Sequence, residues 1–339
     1  LVAFDHKSGS GWRDNTRFGS TTATLAFQER KDGRRGVLTL EQRVTLLRRT
    51  EQQSGGLTDI QFESDARRSD RARNWFDVSW NIASADLSWT PLQGGLDVNL
   101  STYALQASRK SLGFLGTPNR VDFGGARDLI WGDFASVGWD ARVTKRWTNV
   151  SHDRVSALVI GTQGYVGQNR MRQGPGALGG GPNFSFDTSD EVRAESDFVF
   201  PNRQLTAFAQ GVWAFAANWS VTPGVRWERI GTYAEGTYRE VILDGAGNVI
   251  EDSLFKSESD NERQVLLPGL GISWKRPSGE WYANAVRNFR AVNFSDIQIN
   301  NLGVVVDPNI EDERGANADL GYRTAGEFWT LDASAFVLW

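Results

Sequence analysis

Arg67, Arg68, Arg71 and Arg73 stand close together just ahead of Trp75, in the stretch of this sequence with the clearest chemistry. A guanidinium presents a planar fork of donors suited to carboxylates, so this run reads as a binding surface for a compact anion. Several arginines on one loop would focus such a ligand even though the chain's formal charge is −4. The plainer reading is that they pair with Glu63, Asp65 and Asp70 in the same loop. Arg109 and Lys110 form a second candidate pair, with a salt bridge to a nearby carboxylate as the plainer reading. The run Gly174–Pro182 (GPGALGGGP) has the composition of a flexible lid or, more simply, of a mobile loop tip.

Catalytic chemistry has no comparable foothold. The two histidines, His6 and His152, lie far apart, and there is no nucleophile elbow, phosphate loop or paired-ligand spacing. With 0 cysteines the chain cannot form a disulfide or a thiolate metal site. No catalytic residue, metal site, resident cofactor or nucleic-acid partner is therefore expected.

The elements that would position these residues show themselves through period-two alternation. Leu96, Val98 and Leu100 alternate with Asp97, Asn99 and Ser101, and Val137, Trp139, Ala141 and Val143 with Gly138, Asp140, Arg142 and Thr144. The same pattern recurs at Val221–Glu228, Leu270–Trp274 and Leu331–Val337. Helical spacing is sustained nowhere. The longest uncharged stretch, Gln204–Val225, carries two Gln with Asn, Ser, Thr and Pro and alternates throughout, so it is not a transmembrane helix.

The connections alternate in length. Short polar turns fall at Lys31–Gly36, Thr90–Gly95, Thr148–Arg154, Ala216–Asn218, Arg276–Glu280 and Ala325–Glu327. Long polar excursions lie between them, at about Gln52–Asn74, Ser111–Asp133, Asn169–Ser196, Ile242–Asn261 and Asn293–Arg314. An outer-membrane barrel has short turns on one side and long loops on the other, whereas a soluble sandwich has no reason for that asymmetry. Trp75, Phe76, Trp89, Trp131, Phe134, Trp147, Trp219, Trp227, Trp274, Trp281, Phe328 and Trp329 fall near strand ends, as two interfacial girdles would. The expectation is an all-β, antiparallel transmembrane β-barrel of roughly thirteen strands, an odd number where bacterial single-chain barrels use even ones. In that setting the loop arginines could also meet lipopolysaccharide phosphates at the outer rim.

Four segments resemble TonB-dependent outer-membrane receptors, and within them the ferric dicitrate transporter group. Ser8–Phe18 (SGSGWRDNTRF) resembles the turn of an early barrel hairpin, and Gly55–Phe76 resembles the long loop that enters with Gly-Gly-Leu and leaves with Arg-Asn-Trp-Phe. Trp281–Ile297 is similar to the tyrosine-to-Phe-Arg segment late in these barrels, and Val306–Tyr322, with Arg323 following, is similar to their Leu-Gly-x-Arg signature. The resemblance implies a bacterial outer-membrane location and a 22-stranded barrel behind an N-terminal plug, of which residues 1–339 would be an incomplete portion without the plug and the last strands. It implies uptake of a ferric chelate, ferric dicitrate first, with iron present only as part of that cargo, powered by the TonB–ExbB–ExbD complex through the missing plug and its TonB box; the alternatives are a receptor of the same class for another siderophore, cobalamin or a glycan, and a β-rich surface protein that binds ligand without transport. Outer-membrane lipid and lipopolysaccharide would surround the barrel. The residues expected to meet ligand are Arg67, Arg68, Arg71, Arg73, Trp75 and Arg109. Glu313, Arg314 and Arg323 are read as interior structural charges, alternating away from Ala316, Ala318 and Leu320.

Overall fold

A computed structural model describes residues 1–149, 154–187, 195–246, 248–292, 307 and 310–339. His152, the centre of the Thr148–Arg154 turn and most of the Asn293–Arg314 excursion lie outside the described residues. The strands are β1 (Val2–Ser10), β2 (Arg17–Gly33), β3 (Gly36–Gln52), β4 (Trp75–Pro91), β5 (Leu96–Gly113), β6 (Arg127–Asn149) and β7 (Arg154–Gly176). They continue as β8 (Ser196–Ala216), β9 (Trp219–Leu243), β10 (Val249–Arg276), β11 (Gly279–Arg290), β12 (Glu313–Ala325) and β13 (Thr330–Leu338). All belong to one 13-stranded sheet in sequence order, each paired antiparallel with its neighbours. β1 and β13 do not pair, so the sheet is open.

In such a meander the connection after an odd strand and the connection after an even strand must lie at opposite ends. The Gln52–Asn74 loop follows β3 and the Arg276–Glu280 turn follows β10, so the long and short connections separate as the sequence predicts. Residues 59–64 of the first long loop form a short helix, α1 (Asp59–Ser64), started by a capping box in which Thr58 and Gln61 satisfy each other's backbone amides. Six residues are too few to carry a helical period, which is why the sequence does not announce it.

One long excursion is not a loop. β9 and β10 pair almost without interruption from Trp219–Trp274 to Leu243–Val249, so the Ile242–Asn261 segment is largely strand. Its Ser, Glu, Asp and Asn residues lack an apolar face, yet a ladder needs none where both faces are wet. β10 has 28 residues, against roughly 9–11 for a bilayer crossing, so this hairpin stands well beyond any membrane. β6 and β7 likewise extend into the Ser111–Asp133 and Asn169–Ser196 excursions, leaving 114–126 and 177–195 between strands.

Register partners share a face, and the rows sort cleanly. Leu40, Leu87, Leu100 and Ala141 form one row and Val44, Ala83, Ala104, Val137 and Val166 another, on an apolar face. Glu41, Asp86, Ser101, Asp140, Gln163, Thr206 and Glu228 form a row on the opposite, polar face. Trp89, Trp147, Trp219, Trp274, Trp281 and Tyr322 all lie on the apolar face beside the short turns, with Trp219 stacked on Trp274 at 5.2 Å. That is one girdle.

At the opposite end the expected second girdle is present in part, with Trp75, Trp131 and Trp227 on the apolar face. Phe134 sits on the polar face, in a cluster with Met171, Phe198, Phe200 and Ala234, and Phe76 shares that face. Trp139 also lies on the apolar face. Arg314 also departs from its reading: it falls on the face of Ala316, Ala318 and Leu320, while Glu313 and Arg323 take the polar face and pair with Arg290 and Glu280.

Glycine clears space for rings on both faces. A Cβ on Gly164 would lie 2.0 Å from the Trp139 ring, and one on Gly138 would lie 2.6 Å from Tyr103. Each aromatic therefore lies flat across a neighbouring strand.

Candidate functional site

Five of the loop and strand-end arginines donate to backbone carbonyls. Arg71 is 4% exposed, stacks on Phe114 and donates to the carbonyls of Asp70, Gly116, Thr117 and Arg120. Arg73 grips Asp122 through both oxygens, its Nε at 2.8 Å, and donates to the carbonyl of Gly125. That pairing holds the Asp122 carboxyl below the ordinary carboxylate range, the Arg73 hydrogen bond being the largest cause. Arg67 donates to the carbonyl of Trp12 and lies over its ring, and Arg68 pairs with Asp70 at 3.0 Å. Arg13 donates to the carbonyls of Gly55 and Arg68. Trp75, 5% exposed, donates its indole N–H to Gly180 at 2.7 Å.

Arg127, which the sequence did not single out, completes this layer. It is 1% exposed and donates to the carbonyls of Ala177, Gly181, Leu178 and Arg73. Together these side chains tie 53–74, 114–126 and 177–187 into one body. Trp75, Leu112 and Leu129 are register partners beneath it, on the same face as Leu87 and Leu100. No local signal marks Arg127 in the sequence, because a long-range cradle of carbonyls leaves no pattern around the arginine it holds.

Arg109 is different. It sits on β5, on the polar face with Tyr103 and Leu105, is exposed, and has no hydrogen-bond or ion-pair partner among the described residues. Arg43 on β3 shares that face and that freedom. Lys110, the next residue, points to the other face, 3.9 Å from the Trp131 ring. The structure thus joins Arg67, Arg68, Arg71, Arg73 and Trp75 in one layer and sets Arg109 apart.

Further toward the short turns, the polar face carries a network. Asp140 accepts from Arg142 and Gln163, and Glu228 accepts from Arg226 and Gln204. A cavity of about 290 Å³ lies here, lined by Tyr103, Asp140, Gln163, Tyr165, Gln204, Thr206 and Arg226 among others. Its hydroxyls, amides and paired charges suit a polar, hydrated ligand or a polar protein surface. Among the described residues no three His, Cys, Asp or Glu side chains are grouped to hold a metal.

An open meander with an apolar belt outside, a polar wall inside and all long loops at one end is a section of a transmembrane β-barrel. The sequence profile described as TonB dependent receptor-like, beta-barrel matches residues 6–339, and the chain belongs to that family. Its barrels sit in the bacterial outer membrane and serve as receptors and transporters rather than enzymes. A search of curated proteins finds no match. Among solved structures, the chain is similar to the ferric citrate transporter FecA in its unliganded form (TM-score 0.71, 17% identity, 99% of this chain and 46% of that one). It is similar to the ferric yersiniabactin uptake receptor FyuA from Yersinia pestis (0.68, 13%, 99% and 48%). It is also similar to the ferric-catecholate import receptor Fiu from E. coli K12 (0.71, 11%, 99% and 53%). At these identities the likeness is one of fold, and the chain spans about half the length of each.

Proposed function

We propose that this chain forms part of the wall of an outer-membrane receptor that imports a ferric chelate, with ferric dicitrate as the ligand. One observation supports the reading most: Arg43 and Arg109 face the polar side with no hydrogen-bond or ion-pair partner among the described residues, Arg43 in the same register row as Tyr103 and Tyr165 of the polar cavity. A citrate-bearing ferric chelate is a compact polyanion, and free guanidinium forks inside a barrel are its natural partners. In this reading Arg109 meets ligand, while Arg67, Arg68, Arg71, Arg73 and Trp75 shape the mouth through which it enters. Energy comes from the TonB–ExbB–ExbD complex, acting through a plug carried elsewhere in the full-length receptor. A different ferric siderophore is the second reading, favoured by the equal fold likeness to a ferric-catecholate receptor.

The test is a titration of the purified full-length receptor with ferric dicitrate and, separately, a ferric catecholate, followed by tryptophan fluorescence. Saturable quenching by ferric dicitrate alone is expected. Saturation by the catecholate alone would replace the first reading with the second, and saturation by neither would remove both.

A further inference from the structure

β10 is paired far longer on one side than on the other. It pairs with β9 along almost its whole length, but with β11 only from Gly269 to Arg276. The backbone N–H of Lys275 donates to the Asn218 carbonyl, on the β9 side. Successive residues of a strand turn their backbone groups to opposite sides, so odd-numbered residues of β10 face β9 and even-numbered ones face β11. Pro268 is even-numbered and has no N–H to give, and the β10–β11 ladder stops there. From Leu266 back to Leu254, the even-numbered residues present their N–H and C=O groups to no strand among the described residues.

This open edge begins where the strand leaves the membrane. Leu266 is the register partner of Trp227, and the edge runs from there away from the short turns. In lipid each unpaired backbone group would be costly, whereas here all of them are in water and free to pair. The side chains along the edge are mostly acidic. Glu262 is already held by Arg203, Arg229 and Tyr233. Glu258 and Asp260 are exposed and make no hydrogen bond or ion pair among the described residues. Glu258 stands directly opposite Glu235 across the β9 ladder, a like-charge pair with no cation between its members. Lys256 is the one basic side chain of β10 on that face between Leu254 and Leu266.

We propose that this edge of β10 is a docking site for an extended, basic polypeptide segment, which adds to the sheet as a further strand with cationic side chains beside Glu258 and Asp260. Main-chain hydrogen bonds to the even-numbered residues supply the affinity, and the carboxylates supply the selection. The same charges exclude the simplest competitor. A second copy of this edge would set carboxylates against Glu258 and Asp260, whereas a basic strand relieves the repulsion between Glu235 and Glu258. On the other face Ser257 and Ser259 carry no charge, so the alternate residues of the added strand need none. The site stands apart from Arg109 and the polar cavity, and it does not rest on the identity of the interior ligand.

Hydrogen exchange with electron-transfer fragmentation, which resolves single amides, tests this on the detergent-purified full-length receptor. The probe is a peptide with lysine at alternate positions and threonine between them. At saturating peptide the amides of Lys256, Glu258 and Asp260 should exchange roughly tenfold more slowly or better, while those of Ser257, Ser259 and Asn261, already paired with β9, stay as they were. The same peptide N-methylated at alternate residues keeps its charge, loses its ladder and should give no protection. Glu258→Lys/Asp260→Lys should weaken peptide binding roughly tenfold or more. Glu258→Pro removes an N–H from the open edge and none from the β9 ladder, and should abolish the protection at Lys256 and Asp260. Heat-modifiable electrophoretic mobility checks that each variant is a folded barrel. Slow exchange of the even-numbered amides before peptide is added would show an edge closed by the receptor itself and would overturn the site. Exchange unchanged by the peptide, or equal protection by its N-methylated form, would overturn strand addition, and full binding by the charge-reversed variant would overturn the basic partner.

Discussion

The loop layer and the interior wall use the same side chain for opposite ends. Arg71 and Arg127 are buried on loops or at a strand start, where unpaired carbonyls abound, and their donors are consumed by backbone. Arg109 and Arg43 stand on continuous strands whose carbonyls are already spent in the ladder, so no backbone acceptor is available to them. Guanidinium chemistry is thus directed by the state of the surrounding backbone. A loop arginine tends toward cement, and a strand arginine on a polar face keeps its fork for a carboxylate or a ligand.

The largest expected effect is on the cement. Arg127→Ala leaves four carbonyls without their donor and should destabilise the loop layer by about 3 kcal/mol or more. Hydrogen exchange reads this locally: the amides of Ala177, Asn183 and Asp187, bonded within or against the 177–187 segment, should lose protection while strand amides keep theirs. Arg127→Lys should not rescue them, because an ammonium lacks the fork that reaches separated carbonyls. Protection unchanged in Arg127→Ala would erase the contrast between the two regions.

A middle-sized effect follows from pH. Arg73 lowers the folded-state value of the Asp122 carboxyl, so the pair stabilises the loops above the unfolded carboxylate value of about 4 and loses that stabilisation as pH falls through the lower folded value. Loop protection should therefore fall on acidification into that window, and Asp122→Asn should abolish the dependence at a cost of about 1–3 kcal/mol at neutral pH. A variant as pH-sensitive as the native chain would show that another carboxylate governs the loops.

Arg67→Ala should do least. Its guanidinium is exposed and makes one hydrogen bond to the Trp12 carbonyl, so the stability change should stay within about 0.5 kcal/mol. A larger loss would place Arg67 with the buried arginines.

How much of this could be read from the sequence follows the same division. Strand identity, the placement of turns and the direction of every loop are local, because alternation and short polar turns are written residue by residue. Ile242–Asn261 misled because water on both faces erases alternation while leaving the ladder intact. Phe134 misled because an aromatic near a strand end reads as interfacial on either face, and only register assigns the face. The arginine cluster was visible at once, whereas its partners were not. The carbonyls of Gly116, Thr117 and Arg120 lie 45, 46 and 49 residues from Arg71 in sequence, beyond any spacing rule.

The most direct measurement of the central claim sets one arginine from each region against the other in a ferric dicitrate titration of the full-length receptor. Arg109→Ala should weaken binding roughly tenfold, one charge-assisted contact, with the thermal unfolding midpoint unchanged. Arg71→Ala should lower protection of the 114–126 amides and change the affinity of the bound state much less. Native affinity in Arg109→Ala, together with a tenfold loss in an Arg71→Ala receptor whose loops remain protected, would contradict the account.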